Sequence, residues 1–226
     1  MLLIVNHKAN LTCEEIIKYE KQIRKMNIIL LPTNCYLPLF KKGKYILGSQ
    51  DISSFSEKNR TGEINGEQLK SLNVKYSLVG HSDRIEYNKE NKNEIKEKLS
   101  RCIENNITPL YCLGETEYET FTNEIKEEID LYFETKNNKE IIFIYEPKKN
   151  IGNDDADFSK IEEITNYIKS YTTEKYNVIP KIIYGGGVRL NNISFIKKIK
   201  NLDGIIISKK SLNIKELKEI YKETKK

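Results

Sequence analysis

The chain has 226 residues, of which 38% are hydrophobic and 31% are charged. This balance is typical of a folded globular protein and excludes a disordered one. The 38 basic residues exceed the 33 acidic residues by 38 − 33 = 5, and both signs are interleaved along the chain. A nucleic-acid-binding protein more often gathers its basic residues into one stripe, so we expect no nucleic-acid partner.

The four cysteines and two histidines show no metal-binding spacing. No C-x-x-C pair occurs among Cys13, Cys35, Cys102 and Cys112, so we expect no zinc site and no disulfide framework, but free thiols in a reducing cytoplasm. The apolar start of the chain ends after one strand's length, which is too short for a signal peptide. No apolar run reaches membrane-spanning length, so we expect no membrane partner.

Eight short apolar runs alternate with helical patterns. The runs are continuous rather than alternating, which is typical of strands buried on both faces of a parallel sheet. The predicted strands are Leu2–Val5, Ile28–Leu31, Tyr45–Leu47, Tyr76–Val79, Pro109–Leu113, Ile141–Tyr145, Lys181–Tyr184 and Gly204–Ile207. The weakest predicted helix lies near Pro38–Lys42. Because no linker interrupts residues 1–226, the pattern predicts one α/β domain, either a doubly wound sheet or a closed (β/α)8 barrel.

Polar side chains follow these predicted strands, where α/β proteins place their functional groups. Lys8 follows the first strand, His81 the fourth and Glu146 the sixth. Each alone has an ordinary explanation, such as a solvated lysine, a hydrogen-bonded histidine or a surface acid. On one rim they suit an anionic carbonyl substrate, because Glu146 can remove a proton next to the carbonyl while His81 and Lys8 stabilise the enediolate.

A nucleotide-binding protein is the competing interpretation of an alternating α/β pattern. The glycine run Gly185–Gly187 superficially resembles a nucleotide-binding loop. However, the first strand continues into Asn6, His7 and Lys8 instead of a G-x-G-x-x-G loop, which disfavours that interpretation.

Seven short motifs, in order and on the expected strand ends, resemble the triosephosphate isomerase family. They are Asn6-x-Lys8, Thr61-Gly62-Glu63-Ile64, Gly80-His81-Ser82-Asp83-Arg84, Cys112-Leu113-Gly114-Glu115, Tyr145-Glu146-Pro147 with Ile151-Gly152, Tyr184-Gly185-Gly186, and Asp203-Gly204. The resemblance spans nearly the whole chain. It implies a single-domain (β/α)8 barrel.

The resemblance also implies a mechanism, and this family is itself the reference case for the acid–base logic. Glu146 would shuttle a proton between two carbons of a triose phosphate, interconverting dihydroxyacetone phosphate and glyceraldehyde 3-phosphate. A neutral His81 would polarise the carbonyl, Lys8 would supply positive charge, and Asn6 would contact the substrate. No metal or organic cofactor is implied.

The departures from the family motifs cluster at the phosphate end of the implied site. There the resemblance assigns substrate binding to Gly152 in a mobile lid, to Gly187, and to Ser208 and Lys209. Gly187 replaces a serine, Ser208-Lys209 replaces Gly-Gly, and the lid reads Pro147-Lys148-Lys149 where the family has P-V-W. Three functions stay open: a divergent triosephosphate isomerase, an isomerase of another small phosphorylated or acidic sugar, and a non-catalytic barrel that acts as a binding or scaffolding dimer.

A homodimer is implied by the loop motif that contains Thr61, Gly62 and Glu63. In the family this loop inserts near the neighbour's active site, so Arg84 is expected to pair with Glu63 of the partner subunit. The ordinary explanation is that both are simply exposed charges.

Overall fold

A closed barrel of eight parallel strands is present in the computed structural model, which describes residues 1–135, 141–148 and 157–226. Each strand pairs with its neighbour in chain order, and the last strand pairs with the first, which excludes an open doubly wound sheet. The strands are β1 Leu2–Asn6, β2 Ile29–Leu31, β3 Ile46–Ser49, β4 Tyr76–Val79, β5 Thr108–Leu113, β6 Ile142–Tyr145, β7 Lys181–Tyr184 and β8 Gly204–Ile207. All eight predicted strands are confirmed.

Helices coat the outside of the barrel, and none of those described is long and apolar enough to cross a membrane. They are α1 Cys13–Ile23, α2 Gly66–Ser71, α3 Ser82–Asn88, α4 Lys92–Glu104, α5 Phe121–Phe133, α6 Phe158–Tyr176, α7 Ile193–Ile196 and α8 Ile214–Lys225. Local sequence fixes several starts. Thr12 and Glu15 form a capping box at α1, and Asn91 and Glu94 form one at α4, so free N–H groups of the first turn are satisfied.

The helix predicted near Pro38–Lys42 is wrong. A 3-10 helix, Asn34–Leu39, takes its place and ends before Lys41. Pro38 has no N–H to donate and lies inside the 3-10 helix, which disfavours an α-helix that continues through it. The short element leaves an apolar cavity of about 700 Å³ between itself and α2.

The core has two layers, because successive strand side chains point to opposite faces. Leu3 and Val5 face the helices, whereas Ile4 between them belongs to the barrel interior. The interior is filled by Ile4, Ile29, Leu31, Leu78, Leu110, Cys112, Ile142, Ile144, Ile183 and Ile206. Burial on both faces explains why the strands read as continuous apolar runs.

Candidate active site

The carboxyl ends of the parallel strands lie on one rim, and three of them bring the predicted catalytic residues together. Glu146 Oε2 lies 3.5 Å from His81 Nε2. Lys8 Nζ lies 2.8 Å from the carboxylate of Asp83, the second residue after His81. The ends of β1, β4 and β6 therefore assemble an ammonium, an imidazole and a carboxylate.

The main chain of Lys8 is held in an unusual conformation. Its φ is +50°, in the left-handed region that lysine rarely adopts. The Lys8 N–H donates to Asn6 Oδ1 over 3.0 Å, while Thr33 Oγ1 and Gln50 Nε2 donate to the Lys8 carbonyl over 2.7 and 2.9 Å. Three side chains thus offset the strain and fix where the Lys8 side chain starts.

Gln50 supports the site through contacts that the sequence analysis did not predict. Its Nε2 also donates to the Leu31 carbonyl over 3.0 Å, so one amide joins the loops after β1 and β3 to the last residue of β2. No local pattern signals such a contact. Its position after a buried strand was the only available clue.

Asp83 holds the ammonium of Lys8 in place. The family motif has a glutamate here, one methylene longer than Asp83. The Lys8–Asp83 pair is partly open to water, with side-chain exposures of 34% and 41%. The same carboxylate lies 3.7 Å from His81 Nδ1, beyond hydrogen-bond distance, so the shorter side chain keeps its contact with the Lys8 ammonium.

His81 caps the amino-terminal end of α3, and this fixes its tautomer. The Asp83 N–H donates to His81 Nδ1 over 3.0 Å. A nitrogen that accepts a backbone N–H carries no proton, so the proton of the neutral ring is on Nε2. Nε2 is the nitrogen that faces Glu146, and the ring therefore offers a hydrogen-bond donor to the site.

Glu146 is nearly buried, with 11% of its side chain exposed. Burial raises the pKa of this carboxyl above its ordinary 4.5, while the neighbouring His81 and Lys8 act in the opposite direction. A Cβ at Gly185 would lie 2.5 Å from both Cγ and Oε1 of Glu146, so only glycine leaves room for the carboxylate. A buried carboxylate with a raised pKa is suited to proton abstraction.

The residues predicted to bind phosphate follow β7 and β8 on the same rim. Gly187 has a φ of +75° and Ser208 directly follows β8. Lys209 is exposed and begins the 3-10 helix Lys209–Leu212, where Ser211 donates its N–H and its hydroxyl to the Ser208 carbonyl. The predicted lid residue Gly152, together with Lys149, lies outside the described residues.

The predicted dimer loop is exposed. Thr61, Gly62 and Glu63 are all accessible, and the Ser53 N–H donates to the Ile64 carbonyl at the base of the loop. Arg84, on α3, pairs with Asp51 of its own chain at 2.9 Å.

In the part of the chain that the structure describes, no group of three or more acidic, histidine or cysteine side chains is arranged to hold a metal ion.

The fold and the carboxylate–imidazole–ammonium grouping define a (β/α)8-barrel enzyme that moves protons. A family model described as triosephosphate isomerase matches residues 1–224. The triosephosphate isomerase of Mycoplasma mobile is 33% identical over 242 residues, covering 98% of this chain and 98% of the relative. Those of Orientia tsutsugamushi (strain Ikeda) and Buchnera aphidicola subsp. Baizongia pistaciae are 31% and 32% identical, covering 98% and 88% of this chain and 96% and 85% of the relatives. The chain belongs to the triosephosphate isomerase family and is an isomerase.

Proposed function

We propose that the chain interconverts dihydroxyacetone phosphate and glyceraldehyde 3-phosphate, with Glu146 as the base. The observation that carries the proposal is the 3.5 Å approach of Glu146 Oε2 to the protonated nitrogen of His81. A substrate carbonyl oxygen beside His81 Nε2 would leave the adjacent carbon within reach of Glu146.

The proton moves between two carbons in two steps. Glu146 takes a proton from the hydroxyl-bearing carbon, which leaves an enediolate. The hydroxyl proton moves to the former carbonyl oxygen, and Glu146 then returns its proton to the neighbouring carbon. The neutral His81 donates a hydrogen bond from Nε2 to the oxygen on which charge develops, and the Lys8 ammonium adds positive charge. Asn6 is 3% exposed and holds the Lys8 N–H, so it supports Lys8 besides any contact with substrate.

Phosphate binding falls to the residues after β7 and β8. Ser208 can offer its hydroxyl and Lys209 its ammonium in place of the donors of the family motif. The Gly187 N–H donates to the Gly185 carbonyl over 3.1 Å, so Gly187 would contribute the close approach of its backbone. Lys209 is exposed, as a residue that receives a ligand from solvent must be.

The test is turnover of glyceraldehyde 3-phosphate by the wild-type chain and by Glu146→Gln. We expect the variant to lose about 10³-fold or more in kcat, because the amide cannot accept the proton, while its circular dichroism stays unchanged. Wild-type turnover no greater than that of Glu146→Gln would reject the proposal. It would favour another small sugar phosphate or a non-catalytic barrel.

A homodimer built on the loop Thr61–Glu63 is part of the same proposal. The exposure of this loop, and the position of Arg84 on the helix that begins beside His81, support it. Mass measurement in solution at μM concentration tests it, since a monomer there would reject the interface.

We also propose a cytoplasmic location, because Cys13 and Cys35 are exposed free thiols, which a reducing compartment preserves.

A further inference from the structure

Lys148, two residues after Glu146, makes contacts that the family motif does not provide, because the motif has valine at this position. Its Nζ lies 3.2 Å from Glu128 Oε1 and 3.5 Å from Glu124 Oε2, both on α5. Its backbone N–H donates to the Glu115 carbonyl over 3.0 Å. Lys148 is therefore tied to a helix on the outside of the barrel.

Glu128 links Lys148 to the backbone beside the base. Its second oxygen, Oε2, accepts the Gly114 N–H over 2.9 Å. A Cβ at Gly114 would lie 2.0 Å from the carbonyl oxygen of Glu146, so the two backbones are in direct contact. One carboxylate thus holds both the residue that packs on the Glu146 peptide and the lysine that follows it.

The environment of Glu128 fits an ion pair that stays formed at neutral pH. Only 19% of its side chain is exposed, and burial raises its pKa to about 6, with the pairing to Lys148 opposing that rise. By contrast, the side chains that act electrostatically on the Glu146 carboxyl are His81, Lys8 and Asp83. Lys148 is therefore placed to act on the backbone of Glu146 and not on its charge.

We propose, on the basis of the function given above, that Lys148 and Glu128 are positioning residues for the base. Together with the Gly114 N–H they form a clamp, here named the α5 clamp, which fixes the main chain of Glu146 against β5. Lys148 occupies the position of the valine in the family motif, and the carboxylate of Glu128 on α5 pairs with its ammonium. Proton transfer depends steeply on such placement, because small displacements of a base slow the reaction strongly.

The ordinary alternative is a partly exposed ion pair of little consequence. Lys148 is 33% exposed, and pairs at such sites often contribute little to stability. The same helix offers a matched control, since Lys92 pairs with Glu127 at 2.7 Å and both of these side chains are exposed. Lys92→Met removes an ion pair one residue away from Glu128 without touching the clamp.

The experiment compares kcat, KM and thermal midpoint for wild type, Lys148→Met, Lys148→Arg, Glu128→Gln and Lys92→Met. We expect Lys148→Met to lower kcat about tenfold with KM changed less than about threefold, and Lys148→Arg to recover most of the loss. Lys92→Met should keep wild-type kcat. The kcat of the double variant Lys148→Met/Glu128→Gln should lie within about twofold of the lower of the two single-variant values. The effects should not multiply, because both changes break the same clamp.

A kcat within about twofold of wild type in Lys148→Met, or losses that multiply in the double variant, would overturn the clamp. Amide hydrogen exchange at Gly114 and Glu146 gives a second measurement that needs no turnover. We expect exchange at both amides to be about tenfold faster in Lys148→Met, with the amides of β4 unchanged. If the wild type itself shows no turnover, the proposed function fails, and unchanged exchange would then overturn the clamp independently.

Discussion

The two ends of the site differ in how tightly the chain holds them. At the end that would handle carbon chemistry, Lys8, His81 and Glu146 match the family motifs, and each is fixed by named neighbours. At the end proposed to bind phosphate, Gly187, Ser208 and Lys209 depart from the motifs, and Lys209 is exposed.

The difference follows from what each end must do. Proton transfer requires a base and a donor at a fixed separation, and few side chains can replace a carboxylate or an imidazole there. An anion can instead be bound by backbone N–H groups, hydroxyls or an ammonium in many combinations. The chemical end therefore tolerates little change, whereas the phosphate end can be rebuilt from different donors.

Lys8→Met should give the largest effect among the changes that sharpen this comparison. We expect kcat to fall about 10²-fold or more, because the charge that stabilises the transition state is lost. Lys8 lowers the pKa of Glu146, so its removal raises that pKa, and the acid limb of the kcat/KM profile should move to higher pH. The pH profiles of both proteins provide the measurement. Lys58→Met is the control, and an unmoved acid limb would contradict the assignment.

Gly185→Ala should give the next largest effect. The added methyl group would lie 2.5 Å from the Glu146 side chain, so we expect the carboxylate to be displaced and kcat to fall about 10- to 100-fold. Gly66→Ala is a suitable control, because there the three atoms nearest to an added methyl group belong to the Asn105 side chain and not to Glu146. Steady-state kinetics would show the loss. Wild-type kcat in Gly185→Ala would mean that Glu146 works from another position.

Lys209→Ala tests the other side of the comparison. If its ammonium binds phosphate, KM should rise up to about tenfold, equivalent to about 1.4 kcal/mol, with kcat changed less than about threefold. Lys210→Ala is the neighbouring control, since Lys210 pairs with Glu216 at 3.3 Å. A fall in kcat with an unchanged KM would show that the two ends do not divide binding and chemistry in this way.

His7→Phe should give the smallest effect, on stability alone. His7 is fully buried, packs edge-on against Tyr19, and neither ring nitrogen has a hydrogen-bond partner among the described residues. We expect Phe to stabilise the fold by about 1 kcal/mol at pH 7, because two unsatisfied nitrogens are removed.

The pH dependence of His7→Phe follows from the same burial. Burial lowers the His7 pKa from 6.5 to about 4. As the pH falls below 6.5, His7 takes up a proton in the unfolded chain before it does so in the folded chain. The folding stability of the wild type therefore decreases progressively between pH 6.5 and pH 4. Urea unfolding at pH 7 and pH 5 should show the gap between variant and wild type widening at pH 5. A constant gap would contradict the burial effect.

The barrel could be predicted from sequence because its strands are buried on both faces, which leaves continuous apolar runs in the chain. The polar residues at the strand ends could be found for the same reason, since Lys8, His81 and Glu146 interrupt those runs. The helix near Pro38–Lys42 was predicted wrongly, because spacing alone does not show that the chain around Pro38 forms a 3-10 helix that ends at Leu39.

Contacts between distant side chains could not be predicted. The links of Gln50 to Lys8 and of Lys148 to Glu128 join residues 42 and 20 positions apart, and neither pair belongs to a local pattern. The left-handed backbone of Lys8 was equally hidden, because lysine gives no signal for a positive φ.

The shared amide of Gln50 has a consequence for how this barrel can evolve. One side chain joins the loops after β1 and β3 to the last residue of β2 through the Lys8 and Leu31 carbonyls. A substitution that shifts one of the two carbonyls changes how well the Gln50 amide can also bond the second one. The effect of the substitution therefore depends on the residues already present around the second carbonyl. Substitutions in these three segments should therefore show epistasis, and tolerated changes should be found in combinations more often than singly.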